Sequence, residues 1–273
     1  MPVLNPRSYL FVPGNRSDRF AKACAAGADA VILDLEDSVA PADKVKARAA
    51  VAEWLAVQQR VMVRINTSES EWFRDDLGLG RKPGIAGVLL PKAERVEDIR
   101  AVAAAFGAEV PVLLQIETAR GFRDAQALAG ADNVQRLLFG SIDFQLDLGM
   151  TAEEDELLYF RSQIVLDSRI AGIRPPVDGV TTDINSPERI RADALRAKHL
   201  GFSGKMCIHP KQVPIVNECF SPTEEEEAWA RRTVEASWAA GGAATTVDGK
   251  MVDRPVVARA EVILATVAQI RRQ

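Results

Sequence analysis

A chain of 273 residues is too long for a small disulfide scaffold and suits either one large α/β barrel or two ordinary domains. Hydrophobic residues make up 47% and charged residues 26%, which is enough for a sizeable core. The net charge of −4, with both signs interspersed, leaves no basic stripe and excludes a nucleic-acid footprint, so an anionic substrate has to be held by placed arginines or a metal. Cys24, Cys207 and Cys219 are odd in number and lack CxxC spacing, and they read as reduced core thiols of a cytoplasmic protein. The first residues carry no long apolar stretch behind basic ones. No run approaches the roughly 18 apolar residues of a membrane span, so no membrane partner is expected.

Eight short apolar, β-branched runs recur with helical segments between them: Tyr9 to Val12, Ala30 to Leu35, Val61 to Ile65, Gly87 to Leu90, Val112 to Ile116, Leu137 to Gly140, Val177 to Thr181 and Lys205 to Ile208. Each hands over to polar residues. Gly14, Asn15 and Arg16 follow the first, Glu36 and Asp37 the second, Arg64 and Asn66 flank the end of the third, and Lys92 follows the fourth. Glu117, Asp143, Asp183 and His209 follow the fifth to eighth. A doubly wound open sheet would alternate in the same way, but the count of eight favours a closed (β/α)8 TIM barrel, whose strand ends form an active-site mouth. Pro13-Gly14-Asn15-Arg16 lacks the GxGxxG spacing of a dinucleotide site.

Between and after the strands, helix signals fill the gaps. Thr151-Ala152-Glu153-Glu154 reads as a capping box opening a helix to about Ala171, and Thr223 with Glu226 reads the same way, which explains the acid run Glu224 to Glu227 as a first helical turn. Gly241-Gly242 breaks the composition. Thr245 to Val252 reads as a hairpin around Asp248-Gly249, and Pro255 to Arg272 as a closing helix. The expected organisation is a barrel over 1–220 and a helical extension with a hairpin tail over 221–273.

Glu117 and Asp143 stand at the exits of two runs about one β-α-β crossover apart, so parallel strands bring both acids to one sheet edge. Two carboxylates at one place repel, and a hard divalent cation, with Mg²⁺ the usual choice, is the common remedy. The plainer reading is two solvated loop acids. For His209 the simpler role is holding its loop, for His199 a surface or packing position in a helix, and for Lys92 a partner to Glu36 and Asp37.

The motifs in order are RSYLFVPGNR (Arg7 to Arg16), DAVILDLEDSV (Asp29 to Val39), VRIN (Val63 to Asn66), LLPKAE (Leu89 to Glu94), QIETARG (Gln115 to Gly121), FGSIDFQLDLG (Phe139 to Gly149), GFSGKMCIHPKQV (Gly201 to Val213) and DGKMVDRP (Asp248 to Pro255). In that order they resemble the citrate lyase β-subunit-like group of the HpcH/HpaI aldolase superfamily, related to malyl-CoA and citramalyl-CoA lyases. The resemblance implies a TIM barrel with Mg²⁺ held by Glu117 and Asp143, and Glu36 and Asp37 holding metal-bound waters. It implies Arg64 gripping the substrate's acid end, with Arg16, Lys92 and Glu117 also on the substrate. Asp253 would be the catalytic acid–base, presented by the C-terminal segment of a neighbouring subunit in a homotrimer or hexamer.

The implied reaction is Mg²⁺-dependent cleavage of a hydroxyacyl-CoA thioester of malyl, citramalyl or citryl type to acetyl-CoA and a 2-oxo acid. Three other readings stand beside it: thioesterase or malate-synthase-like chemistry at the same site, the β subunit of a citrate lyase complex acting on citryl-acyl carrier protein, and a ligand-binding barrel without chemistry. One departure matters. Where the group usually carries an acid before the metal-binding Asp, this chain has Ile142 before Asp143, which lowers the local charge and bears on the substrate more than on the metal.

Overall fold

Apolar β-branched runs that are buried on both faces form parallel strands only when helices cover one side and side chains fill the other. The computed structural model, which describes residues 5–57, 60–152 and 154–271, builds that arrangement. Its strands are β1 (Ser8–Pro13), β2 (Ala30–Asp34), β3 (Val61–Arg64), β4 (Ile85–Leu90), β5 (Val112–Ile116), β6 (Val134–Phe139), β7 (Val177–Asp178) and β8 (Gly204–Cys207). All pair in parallel in chain order, and β1 closes on β8 through Tyr9 opposite Met206, so the expected TIM barrel is the observed fold.

The interior is filled by one buried residue from each strand: Tyr9, Ile32, Met62, Leu89, Leu113, Leu138, Val177 and Met206. Arg136 of β6, fully buried, donates to the carbonyls of Pro6 (3.1 Å) and Pro175 (2.6 Å), to the Tyr9 hydroxyl (2.7 Å) and to Ser203 Oγ. A guanidinium kept off water survives there because most of its N–H groups find an oxygen.

Two expectations shift. The seventh strand is two residues long, where Val177 to Thr181 was expected. The carbonyls beyond it are taken by side chains: Lys205 Nζ donates to Gly179 O (2.6 Å) and Gln212 Nε2 to Thr181 O (2.8 Å), which ends the ladder. The capping box at Thr151 falls partly on Glu153, outside the described residues; the helix there is Leu158–Ile170, entered through a 3-10 turn, Asp155–Leu157.

The chain divides into two compact units, one of residues 5–217 and one that contains 218–271. In the second, Thr223 and Glu226 make the capping box of helix Glu224–Ala239, with Thr223 Oγ1 accepting the Glu226 N–H at 3.0 Å. Gly241 and Gly242 leave that helix with φ of 63° and 84°. The hairpin is β9 (Thr245–Val247) and β10 (Lys250–Val252), turning on Asp248 (φ 51°) and Gly249 (φ 74°) as a two-residue turn of this kind requires. Helix Arg254–Ile270 closes the chain. No helix among the described residues is long and apolar enough to cross a membrane.

Candidate active site

The carboxyl ends of β2 to β6 bring the charged residues together. Asp34, the last residue of β2, takes Arg64 Nε and Nη2 as a fork, both at 2.7 Å, and also accepts from the Glu36 N–H (2.9 Å) and from Ser38 Oγ (2.5 Å). Arg64 Nη1 lies 2.9 Å from Glu36 Oε2 as an ion pair without hydrogen-bond alignment, and the guanidinium stands 5.0 Å over the Phe11 ring. Burial by itself disfavours both charges. The pair overrides it: Arg64 holds Asp34 below the usual carboxylate range, and Asp34 and Glu36 raise Arg64.

Lys92, at the exit of β4, adopts a left-handed backbone (φ 47°), which a lysine enters only at a cost in strain. That turn aims its own N–H at Glu117 Oε1 (2.8 Å) while its Nζ reaches Glu36 Oε1 (2.9 Å) and stands 3.8 Å from both Asp37 Oδ2 and Asp143 Oδ1. Burial works against the ammonium and Glu36 raises it, so it stays charged. The ion pair with the acids is therefore present. Lys44 lies buried beneath the same acids, donating to Leu35 O, Glu36 O and Asn66 Oδ1 at 2.7–2.8 Å.

Glu117 follows β5 and is 1% exposed. Burial first, then the charges of Glu36 and Asp143, push its carboxyl up to about 8, against the pull of Arg64 and the Lys92 N–H. Its Oε2 accepts from Gln115 Nε2. Gln115 Oε1, the other end of that amide, is buried with no partner. A Cβ on Gly140 would overlap the Glu117 carboxylate, so glycine is what lets the β6 exit close over it. Asp143 sits in the first turn of helix Ser141–Leu148, where negative charge suits the helix dipole.

Five carboxylates, Asp34, Glu36, Asp37, Glu117 and Asp143, thus share the mouth with three cations, Lys44, Arg64 and Lys92. With the proton held on Glu117 the excess is one negative charge, and it becomes two, the balance a divalent ion would neutralise, once Glu117 ionises. Among the described residues no group of three or more His, Cys, Asp or Glu side chains is placed to hold a metal. Mg²⁺ takes one or two carboxylates and fills its remaining positions with water and substrate oxygen. The hard oxygens of Glu117 and Asp143, the partnerless Gln115 Oε1 and the proton held on Glu117 are what such an ion would satisfy.

Asp34, Asp37 and Asp143 open onto a cavity of about 340 Å³ whose wall also includes Arg64, Gln115, Ile142 and Met206. A second cavity, of about 450 Å³, shares Phe11 and Ile208 with the first and carries Arg19, Lys22 and His209 beside Asp18. Arg16 is paired with Asp18 (2.8 Å) on the surface and is absent from both walls. His209 Nδ1 accepts the Lys211 N–H (3.1 Å), a loop-holding role, and His199 is exposed on helix Pro187–Leu200. Asp253 belongs to the other unit, where its carboxylate caps helix Arg254–Ile270 by accepting the Val256 N–H at 3.4 Å. Of the three free thiols, Cys207 and Cys219 are buried and Cys24 partly so, and burial pushes Cys207 up to about 12.

Asp34 and Gln115 are the residues that reading the sequence missed. Asp34 sits inside the run VILDLE, where a lone acid in an apolar strand is the signal that it has a buried cation as partner.

Residues 7–210 match the family described as HpcH/HpaI aldolase/citrate lyase. A citrate lyase subunit beta-like protein of Deinococcus radiodurans is 39% identical over 95% of this chain and 96% of its own. In Cereibacter sphaeroides, an L-malyl-CoA/beta-methylmalyl-CoA lyase is 35% identical over 96% and 95%, and a (3S)-malyl-CoA thioesterase 34% identical over 95% and 96%. Among solved structures, CitE from Mycobacterium tuberculosis in complex with magnesium, acetoacetate and coenzyme A superposes with a TM-score of 0.85 at 36% identity, covering 98% of this chain and all of that one.

Proposed function

Because the chain belongs to the HpcH/HpaI aldolase/citrate lyase family and is an enzyme of the lyase class, we propose that it cleaves a hydroxyacyl-CoA thioester to acetyl-CoA and a 2-oxo acid with Mg²⁺ held by Glu117 and Asp143. The observation that carries the reading is that Asp143 and the buried Arg64 line one cavity, while Glu117 lies packed against Gly140 of the same wall and shares Lys92 with Asp143. When bound, Mg²⁺ polarises the hydroxyl and carboxylate of the substrate and stabilises the alkoxide as the hydroxyl proton leaves.

The chain's own residues do the rest. Asp34 occupies two of the five N–H groups of Arg64 and fixes its plane, leaving the Nη1 edge and the second Nη2 N–H for the substrate carboxylate, a fork that lysine lacks. Glu36 and Asp37 hold waters around the metal, and Lys92 keeps Glu36 and Glu117 in place. Gln115 Oε1 accepts a hydrogen bond from a metal-bound water or from the substrate hydroxyl. As the C–C bond breaks, its electron pair passes to the thioester enolate and the carbinol carbon becomes the ketone or aldehyde. The carboxylate of Asp253 of a neighbouring subunit takes up the hydroxyl proton and returns it to the enolate carbon to give acetyl-CoA, and this requires a closed oligomer, a trimer or hexamer. The second cavity, joined to the first at Phe11 and Ile208, suits the anionic arm of the thioester through Arg19 and Lys22, with Arg16 outside its wall but paired to Asp18 of it.

The deciding experiment is turnover of malyl-, citramalyl- and other hydroxyacyl-CoA thioesters with and without Mg²⁺, scoring free thiol and 2-oxo acid separately. Equal oxo acid and acetyl-CoA, dependent on Mg²⁺, is the expected result. Thiol without oxo acid overturns the lyase reading in favour of hydrolysis.

A further inference from the structure

The barrel mouth is divided into two arcs. The exits of β2 to β6 supply the charged residues, from Asp34 and Glu36 round to Asp143. On the wall of the same cavity, β7, β8, β1 and the turns after them supply Val180, Met206, Ile208 and Phe11, none of them charged, while Asp178 of β7 and Lys205 of β8 are paired with each other and outside that wall. Ile142 marks the border. It directly precedes Asp143 on the first turn of helix Ser141–Leu148, lines the cavity, and is 43% exposed although large and apolar.

A hydroxyl-bearing carbon that also holds a carboxylate and the thioester arm has one substituent left. Hydroxyl and carboxylate belong on the charged arc, against the metal ligands and Arg64. The arm leaves past Phe11 and Ile208, where the second cavity opens. The fourth substituent then faces Ile142, Val180 and Met206.

We infer, on the lyase reading, that this fourth substituent is a small hydrocarbon group, methyl or ethyl, seated on Ile142, Val180 and Met206, and that Ile142 sets the preference against a charged one. A carboxymethyl group in this place would lose most of its hydration against apolar side chains, with the Ser141 hydroxyl as the one donor beside them on that wall, and it would sit beside the carboxylate of Asp143. A hydrocarbon instead gains roughly fourfold in affinity for each buried methylene. The 2-oxo acid released is accordingly of pyruvate or 2-oxobutyrate type and not a dicarboxylic acid.

The test reads binding, separately from turnover. Dissociation constants of pyruvate, 2-oxobutyrate and oxaloacetate are measured by calorimetry on the full chain with Mg²⁺ and saturating coenzyme A. In the wild type, 2-oxobutyrate should bind about fourfold tighter than pyruvate, and oxaloacetate at least tenfold weaker. Ile142→Ser should narrow both gaps; if it fails to fold by circular dichroism, Ile142→Val should narrow the first. Oxaloacetate binding as tightly as pyruvate, a ranking untouched by the Ile142 variants, or no binding of any of the three overturns the inference. The expected ranking without thioester cleavage would count against the lyase reading alone, and cleavage with a flat ranking against this inference alone.

Discussion

Asp34 takes two N–H groups of Arg64 and Glu36 stands beside it as an ion pair, so this guanidinium is at once a buried structural cation and a ligand surface. Arg64→Ala should leave Asp34 charged and unpaired, costing on the order of 3–5 kcal/mol in denaturant unfolding. Arg64→Lys keeps the charge but not the fork, so stability should fall less while kcat/KM falls at least tenfold. Glu117 gives a pH prediction. Its folded carboxyl, at about 8 and up from 4.5, binds a proton that the unfolded chain has lost. The metal-free protein should therefore lose stability as pH rises from about 4.5 to 8, the window between the two values. Mg²⁺ needs the carboxylate, so its affinity should climb by up to about tenfold per pH unit to about pH 8 and then level off. Calorimetry in buffers of different ionisation enthalpy would detect the released proton, and Glu117→Gln should abolish it. Lys22→Ala tests the arm: KM for the thioester should rise several-fold with kcat unchanged.

At the scale of elements, Gly140 and Lys92 are backbone devices. Gly140→Ala should keep the circular dichroism spectrum of the barrel yet lower Mg²⁺ affinity by about 10–100-fold, since its methyl has to displace the Glu117 carboxylate. Much of this level was legible in the sequence. The eight strands follow from apolar runs of strand length, and the Thr223 cap, Gly241-Gly242 and the Asp248-Gly249 turn follow from local chemistry. What was hidden depended on contacts distant in sequence. The seventh strand stops because Lys205 and Gln212 take its carbonyls, and Asp34 matters through Arg64, 30 residues away. Lys92 reads as one more strand-end cation until its backbone is seen to turn left-handed and bond Glu117. Arg16, expected on the substrate, pairs with a near neighbour, Asp18, a contact that local sequence could have suggested.

At the scale of the whole molecule, the charged site lies in the unit of residues 5–217 and Asp253 in the unit containing 218–271. If a neighbouring subunit supplies Asp253, two inactive variants should rescue each other. Glu117→Ala and Asp253→Ala, mixed after dissociation and reassembly, should regain a measurable fraction of wild-type turnover, whereas each reassembled alone should not. Absence of rescue in mixed oligomers verified by mass spectrometry would place Asp253 in the service of its own barrel or outside the reaction.

The two arcs of the barrel mouth are also two stretches of gene. Everything charged that faces the cavity comes from one uninterrupted segment, 34 to 143, while Val180, Met206 and Ile208 come from a later one, with Phe11 alone crossing over. Recombination between the sixth and seventh strands would therefore exchange one half of the mouth and leave the other intact. Such a lineage can change what it cleaves by crossover, without passing through a sequence that has lost its metal.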